Sequence, residues 1–215
     1  MVARVKFCGL TRPEDACEAI ALGASYIGAI FAGGPRQMTP DRARRLFDNA
    51  GPGAERVGVF GADAVDRAAR TAEQVRLDVI QLHGDPRAAD IRAARSRFAG
   101  RIWAVARAQG SLLPEWAEGL FREADAVLVD ARVPGRLGGT GVALEWDALA
   151  RSLEAFRGAT PLVLAGGLTP ENVARAVRLM SPDIVDVSSG VESAPGIKDH
   201  DRMRAFMRAA QEIPE

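Results

Sequence analysis

The chain has 215 residues, 47% of them hydrophobic, which is enough for a sizeable core and far from the composition of a disordered segment. Lys plus Arg and Asp plus Glu each total 28, so no basic excess points to nucleic acid or to an anionic membrane surface. Two cysteines make no disulfide framework, and residues 1–5 lack the apolar run of a signal peptide, so a cytoplasmic location without a membrane partner is expected.

The first β-branched run, residues 4–8, ends in a thiol, a glycine and a helix-start signal. Alternation along a strand puts Lys6 and Cys8 on one face and Val5 and Phe7 on the other. Further strands are predicted at 26–31, 56–60, 79–82, 102–106, 126–130, 162–165 and 184–187. Each is followed by a segment with helical spacing, at 13–22, 40–48, 64–74, 86–98, 112–122, 146–156, 170–180 and 199–211. Three of these open on a threonine cap with proline at the first turn: Thr11-Arg12-Pro13, Thr39-Pro40 and Thr169-Pro170. The basic run Arg42-Ala43-Arg44-Arg45 reads as a solvated helix face.

Strict alternation with short connections argues for a parallel sheet whose crossovers are covered by their own helices. Eight such units with no linker predict a single-domain (β/α)8 TIM barrel over residues 1–215. The rival is a doubly wound open sheet, which would carry a phosphate turn after its first strand. Cys8-Gly9-Leu10-Thr11-Arg12-Pro13 is neither GxGxxG nor a Walker loop.

In a barrel the chemistry sits at the C-terminal strand ends, which makes Cys8, Arg36, Gln81, His83, Asp130, Gly166-Gly167 and Asp186 with Ser188-Ser189-Gly190 the candidates. The two glycine loops after strands seven and eight place bare N–H groups and hydroxyls together, as a phosphate site requires; by themselves the glycines could equally make tight turns. Asp130 closes an apolar run, where it serves as an acid at the mouth or caps a turn. Cys8 is a candidate general base, with the Lys6 ammonium expected to lower its pKa, and Lys6 itself is expected to pair with Asp186 across the barrel seam. Cys17, inside the first helix, is expected to be core.

Only two histidines occur, His83 and His200, so a histidine-rich metal site is excluded, and neither metal nor cofactor is expected. His83 reads as a structural or substrate-contacting group, with catalytic base as the alternative. Arg36, on a glycine-rich loop, either grips a carboxylate with its fork or lies exposed on the surface.

Taken together, the motifs Val5-Lys6-Phe7-Cys8-Gly9-Leu10-Thr11, Gln81-Leu82-His83-Gly84, Val129-Asp130, Gly138-Gly139-Thr140-Gly141, Leu164 to Val173, Asp186 to Glu192 and Pro195 to Asp199 resemble the phosphoribosylanthranilate isomerase family. They come in the family's order and span nearly the whole chain. The resemblance implies an Amadori rearrangement in tryptophan biosynthesis, converting N-(5-phosphoribosyl)anthranilate to 1-(2-carboxyphenylamino)-1-deoxyribulose 5-phosphate without a cofactor. It implies Asp130 as general acid and Cys8 as general base, and Arg36 on the anthranilate carboxylate. It also implies phosphate on the backbones around Gly166, Gly167, Ser189 and Gly190, beside Ser188. His83 is a substrate-contact candidate, and Lys6 with Asp186 a supporting pair. The partner is the small phosphoribosyl substrate, with the chain a monomer or homodimer.

Two departures from the family's pattern stand out: Gly33-Gly34-Pro35 before Arg36 with Gln37-Met38 after it, and Leu144-Glu145-Trp146 at the start of the sixth helix. The competing readings are the histidine-pathway aminoaldose isomerase, which resembles a design with aspartate where Cys8 stands, and a non-catalytic phosphosugar-binding barrel.

Overall fold

The computed structural model describes residues 2–61, 65–108, 110–130, 142–154 and 156–211, with the side chains of 142–145 outside the description. Eight parallel strands close into a barrel in sequence order: β1 (Arg4–Phe7), β2 (Tyr26–Ile30), β3 (Glu55–Gly61), β4 (Val79–His83), β5 (Arg101–Arg107), β6 (Ala126–Asp130), β7 (Leu162–Ala165) and β8 (Ile184–Val187). The helices between and after them are α1 (Pro13–Ala21), α2 (Pro40–Ala50), α3 (Val65–Val75), α4 (Ala88–Arg95), α5 (Ala117–Glu123), α6 (Val142–Glu154), α7 (Val173–Met180) and α8 (His200–Gln211). The expected (β/α)8 architecture is therefore present.

Alternation along each strand divides the core in two. One set of side chains, among them Tyr26, Val57, Val79, Trp103, Leu128, Val163 and Ile184, fills the barrel interior, where Tyr26 and Trp103 meet edge to face at 4.8 Å. The intervening residues, such as Phe7, Ile27, Phe60, Ile80, Val127 and Leu164, pack outward against the helices. A one-residue register slip would exchange the two sets, so the pattern fixes the register. The barrel closes where β1 meets β8, with Val5 opposite Val185 and Lys6 opposite Asp186.

The helix starts are only partly as expected. Thr39 does cap α2, its hydroxyl accepting from the Arg42 N–H at 3.3 Å ahead of Pro40. Thr11 does not cap α1: Arg12 occupies the cap position, and the Thr11 hydroxyl donates instead to the Gly196 carbonyl at 2.5 Å. Before α7, Thr169 yields to Asn172, which accepts from the Thr169 N–H at 2.8 Å. The α4 helix starts two residues later than predicted because Asp90 folds back to the Arg87 N–H at 2.7 Å.

Cys17 is exposed rather than core, since α1 turns Asp15, Ala16 and Ala19 inward and leaves the thiol 3.7 Å from the Asn49 carbonyl. A feature with no counterpart in the prediction follows β8. A single 3-10 turn at Ser189–Val191 leads into an antiparallel hairpin of β9 (Glu192–Ala194) and β10 (Ile197–Lys198) before α8.

Candidate active site

Cys8 follows β1 at the C-terminal rim and is 6% exposed, and its N–H donates to the Val187 carbonyl of β8 at 2.8 Å. Directly beneath it, Lys6 is fully buried and donates to both oxygens of Asp186 at 3.0 Å, so the expected ion pair is present. Opposite the thiol, Gly28 on β2 supplies bare backbone: a Cβ there would lie 3.2 Å from the Cys8 sulfur and 3.4 Å from Lys6 Cε.

Burial pushes the Cys8 thiol up, and although Lys6 pulls it down, Asp186 pushes the same way as burial, so the net direction is upward. Lys6 does bias the thiol toward thiolate, as expected, but burial and Asp186 outweigh it. For Lys6, burial disfavours the ammonium, yet Asp186 and Cys8 outweigh it and its pKa is raised. In the resting site the stable arrangement is a thiol above an ammonium–carboxylate pair.

His83 ends β4 and is half-buried; burial and the nearby Arg107 guanidinium hold it below the ordinary imidazole value, against the carboxylates of Asp130 and Asp186. Asp130 ends β6, half-buried, in register with Arg107 of β5 on one side and Ala165 of β7 on the other. His83 and Asp130 end β4 and β6 at the same rim of the closed barrel. The Gly138 to Gly141 motif and the Leu144-Glu145 departure lie outside the described residues and side chains.

The proposed phosphate loops are adjacent. Gly166 and Gly167 after β7 have φ of 94° and 67°, the left-handed region that glycine tolerates. Gly190, after β8, lies so close to the Leu168 carbonyl that an added Cβ would collide with it. Ser188 Oγ is buried and bonds nothing among the described residues.

Arg36 is not a free surface residue. Its Nε and one Nη pair with the two oxygens of Glu192 at 2.7 and 2.5 Å, and its stem crosses Gly9, where a Cβ would sit 2.7 Å from Arg36 Cδ. Of the residues after it, Gln37 is exposed and Met38 packs into the core between sheet and helices.

Sequence reasoning assigned no role to Glu192, Lys198 or Asp15. Lys198 is buried and donates from Nζ to Glu192 at 2.9 Å and to the Ser188 carbonyl at 3.0 Å. Asp15, fully buried, joins Arg12, His200 and the Lys198 N–H. Glu192 and Lys198 stand in motifs already singled out, and the signal that could have marked them is charged residues within an otherwise apolar and glycine-rich run. Gln81 on β4 is also buried, with Oε1 unpartnered among the described residues.

Comparison with known proteins decides the family. Residues 5–209 match the family model for N-(5'-phosphoribosyl)anthranilate isomerase. The chain belongs to the phosphoribosylanthranilate isomerase family. A Haloferax volcanii N-(5'-phosphoribosyl)anthranilate isomerase is 42% identical over 98% of this chain and 94% of its own length, and that of Nitrosococcus oceani is 39% identical over 99% and 100%. Among solved structures, phosphoribosyl anthranilate isomerase from Thermotoga maritima superposes with a TM-score of 0.83 at 34% identity, covering 97% of this chain and 98% of that one. Another member, solved in complex with reduced 1-(o-carboxyphenylamino)-1-deoxyribulose 5-phosphate, gives a TM-score of 0.80 at 32% identity, with coverage of 97% and 98%. The family's members share this closed barrel. Among the described residues no helix is long and apolar enough to cross a membrane.

Proposed function

We propose that this member of the family converts N-(5-phosphoribosyl)anthranilate to 1-(2-carboxyphenylamino)-1-deoxyribulose 5-phosphate with Asp130 as acid and Cys8 as base. Membership of the family makes the chain an aldose–ketose isomerase of tryptophan biosynthesis. The observation that carries the assignment of roles is the placement of Cys8 and Asp130 on one rim, at the ends of β1 and β6, beside the paired glycine loops of β7 and β8.

That placement supports the following steps. Phosphate binds the backbones around Gly166, Gly167, Ser188, Ser189 and Gly190, and the anthranilate carboxylate meets Arg36. Asp130 gives a proton to the furanose ring oxygen, the C1′–O bond breaks, and the amine lone pair forms a protonated Schiff base. Cys8 then removes the C2′ proton, its electrons form the C1′–C2′ double bond of an enolamine, and tautomerisation yields the ketone. The raised thiol pKa fits this order, because the iminium charge arrives only after ring opening and favours the thiolate at the moment a base is needed. Lys6 and Asp186 support the thiol from beneath, and in this reading His83, at the end of β4, hydrogen-bonds substrate.

In the steps as written the protein supplies proton transfers alone, and no cofactor is employed. The chain is read as a single domain acting as a monomer or homodimer in the cytoplasm, where its cysteine usage suits a reducing environment. Loss of substrate fluorescence on adding the protein tests the reading. Turnover of phosphoribosylanthranilate with none of the histidine-pathway aminoaldose is expected, and comparable turnover of the histidine-pathway compound would overturn it.

A further inference from the structure

Arg36 is held by Glu192 and Glu192 in turn by Lys198, two buried groups to which the steps above give no task. Glu192 takes the Nε edge of the guanidinium through both oxygens, at 2.7 and 2.5 Å. Lys198 Nζ donates to the same carboxylate at 2.9 Å and to the Ser188 carbonyl at 3.0 Å. The Glu192 and Lys198 side chains are 5% and 0% exposed, whereas that of Arg36 is 22% exposed.

A lysine and a glutamate are rarely buried this completely, and a buried charge persists only when paired. Here one carboxylate serves two cations, so with Lys198 protonated, which Glu192 favours against burial and the Arg36 charge that lower its pKa, the cluster carries one positive charge in excess. That excess faces outward through Arg36, the one member of the three that reaches the mouth. A guanidinium has five N–H donors in a planar fork. The bidentate contact with Glu192 uses two, fixes the plane and leaves the outer edge for a planar carboxylate.

The support continues outward. The Lys198 backbone is gripped at both ends, its N–H by Asp15 at 3.2 Å and its carbonyl by Arg12 at 3.2 Å. Glu192 is therefore braced from α1 through Lys198, and it cannot swing away from Arg36 without leaving Lys198 buried and unpaired.

We propose that Glu192 and Lys198 are positioning residues for Arg36: Glu192 orients its fork, and Lys198 supplies the second positive charge that keeps the cluster able to take the substrate's aromatic carboxylate. The proposal rests on the reading that Arg36 meets that carboxylate.

The test measures inhibition constants for two reduced product analogues, 1-(phenylamino)-1-deoxyribitol 5-phosphate with and without the ortho carboxylate. Arg36→Met, Glu192→Gln and Lys198→Met are each expected to weaken the carboxylate-bearing analogue roughly tenfold or more and the carboxylate-free one less than about threefold. Lys198→Arg should recover most of the loss, and in turnover the change should fall on KM rather than kcat. Glu192→Gln fills the same volume, so it decides the matter if Lys198→Met does not fold. Equal weakening of both analogues, or tighter binding of the carboxylate-bearing one by Glu192→Gln, would overturn the proposal. If Arg36→Met alone is selective, the role of Arg36 stands and the positioning role falls; if Arg36→Met is not selective, the role of Arg36 itself is wrong.

Discussion

Lys6 and Asp186 stand opposite each other across the seam where β1 closes on β8, with the ammonium 3.0 Å from both carboxylate oxygens and Cys8 directly above. The pair sets the thiol's proton affinity through two opposed charges, and the two partners should therefore shift it in opposite directions. Cys8→thiolate conversion is favoured by Lys6 and disfavoured by burial and Asp186. Lys6→Met is expected to push the Cys8 pKa further up and Asp186→Asn to bring it down. Alkylation rate against pH, in a Cys17→Ala background because Cys17 is exposed, reads both. Since the thiolate is the base, the acid limb of kcat/KM should move with it, upward for Lys6→Met and downward for Asp186→Asn; shifts in one common direction would contradict the arrangement.

The same pair makes a stability prediction. Breaking a buried pair strands a charge and costs about 3–5 kcal/mol, whereas replacing both partners with apolar groups is often neutral. Lys6→Met and Asp186→Leu should each lower the denaturant midpoint sharply, and the double variant should recover most of the loss. Additive destabilisation in the double variant would show that the two residues act separately.

For the acid and base, loss of either group is expected to lower kcat by about a hundredfold to ten-thousandfold, the usual contribution of a positioned proton-transfer group. Cys8→Ala and Asp130→Asn with activity within a few-fold of wild type would remove them from their roles. A normal thermal transition in both would show that the deficit is chemical.

Gly190→Ala tests the phosphate loops. A methyl group there meets the Leu168 carbonyl, so the loops after β7 and β8 must separate. Weaker inhibition by inorganic phosphate and a raised KM are expected, by roughly tenfold if one charge-assisted contact is lost. Unchanged phosphate affinity would place the phosphate elsewhere.

Asp15 predicts acid sensitivity. Burial would raise its pKa, but Arg12, His200 and the Lys198 N–H outweigh burial and hold it below the ordinary carboxylate value. A depressed carboxylate contributes stability that is fully present above its unfolded pKa of about 4 and is lost as pH falls through the folded value. Asp15→Asn should therefore lower the unfolding free energy measured in urea near neutral pH by about 1–3 kcal/mol for the lost charged hydrogen bonds, and the gap to wild type should narrow below about pH 4. A gap that stays constant across that range would show that the Asp15 charge is not what holds Lys198.

Much of the barrel was legible because local signals and the fold agree. The alternation of Val5, Lys6, Phe7 and Cys8 determined which side chains enter the interior, and Thr39-Pro40 determined where α2 begins. The apolar run ending in Asp130 and the glycines after β7 and β8 marked the rim. Where the sequence misled, a distant group or burial intervened: Gly196 drew the Thr11 hydroxyl away from its helix, and burial with Asp186 outweighed the Lys6 charge that pulls the Cys8 pKa down.

What the sequence by itself determined is the order of strands and helices and the residue types at the strand ends, since both depend on spacing along the chain. Only the tertiary structure decided the electrostatics. Lys6 and Asp186 are 180 residues apart, and Arg36 and Glu192 are 156 apart. Coulomb energy and desolvation depend on distance in space and on burial, and neither quantity can be read from a position in the chain until the barrel closes.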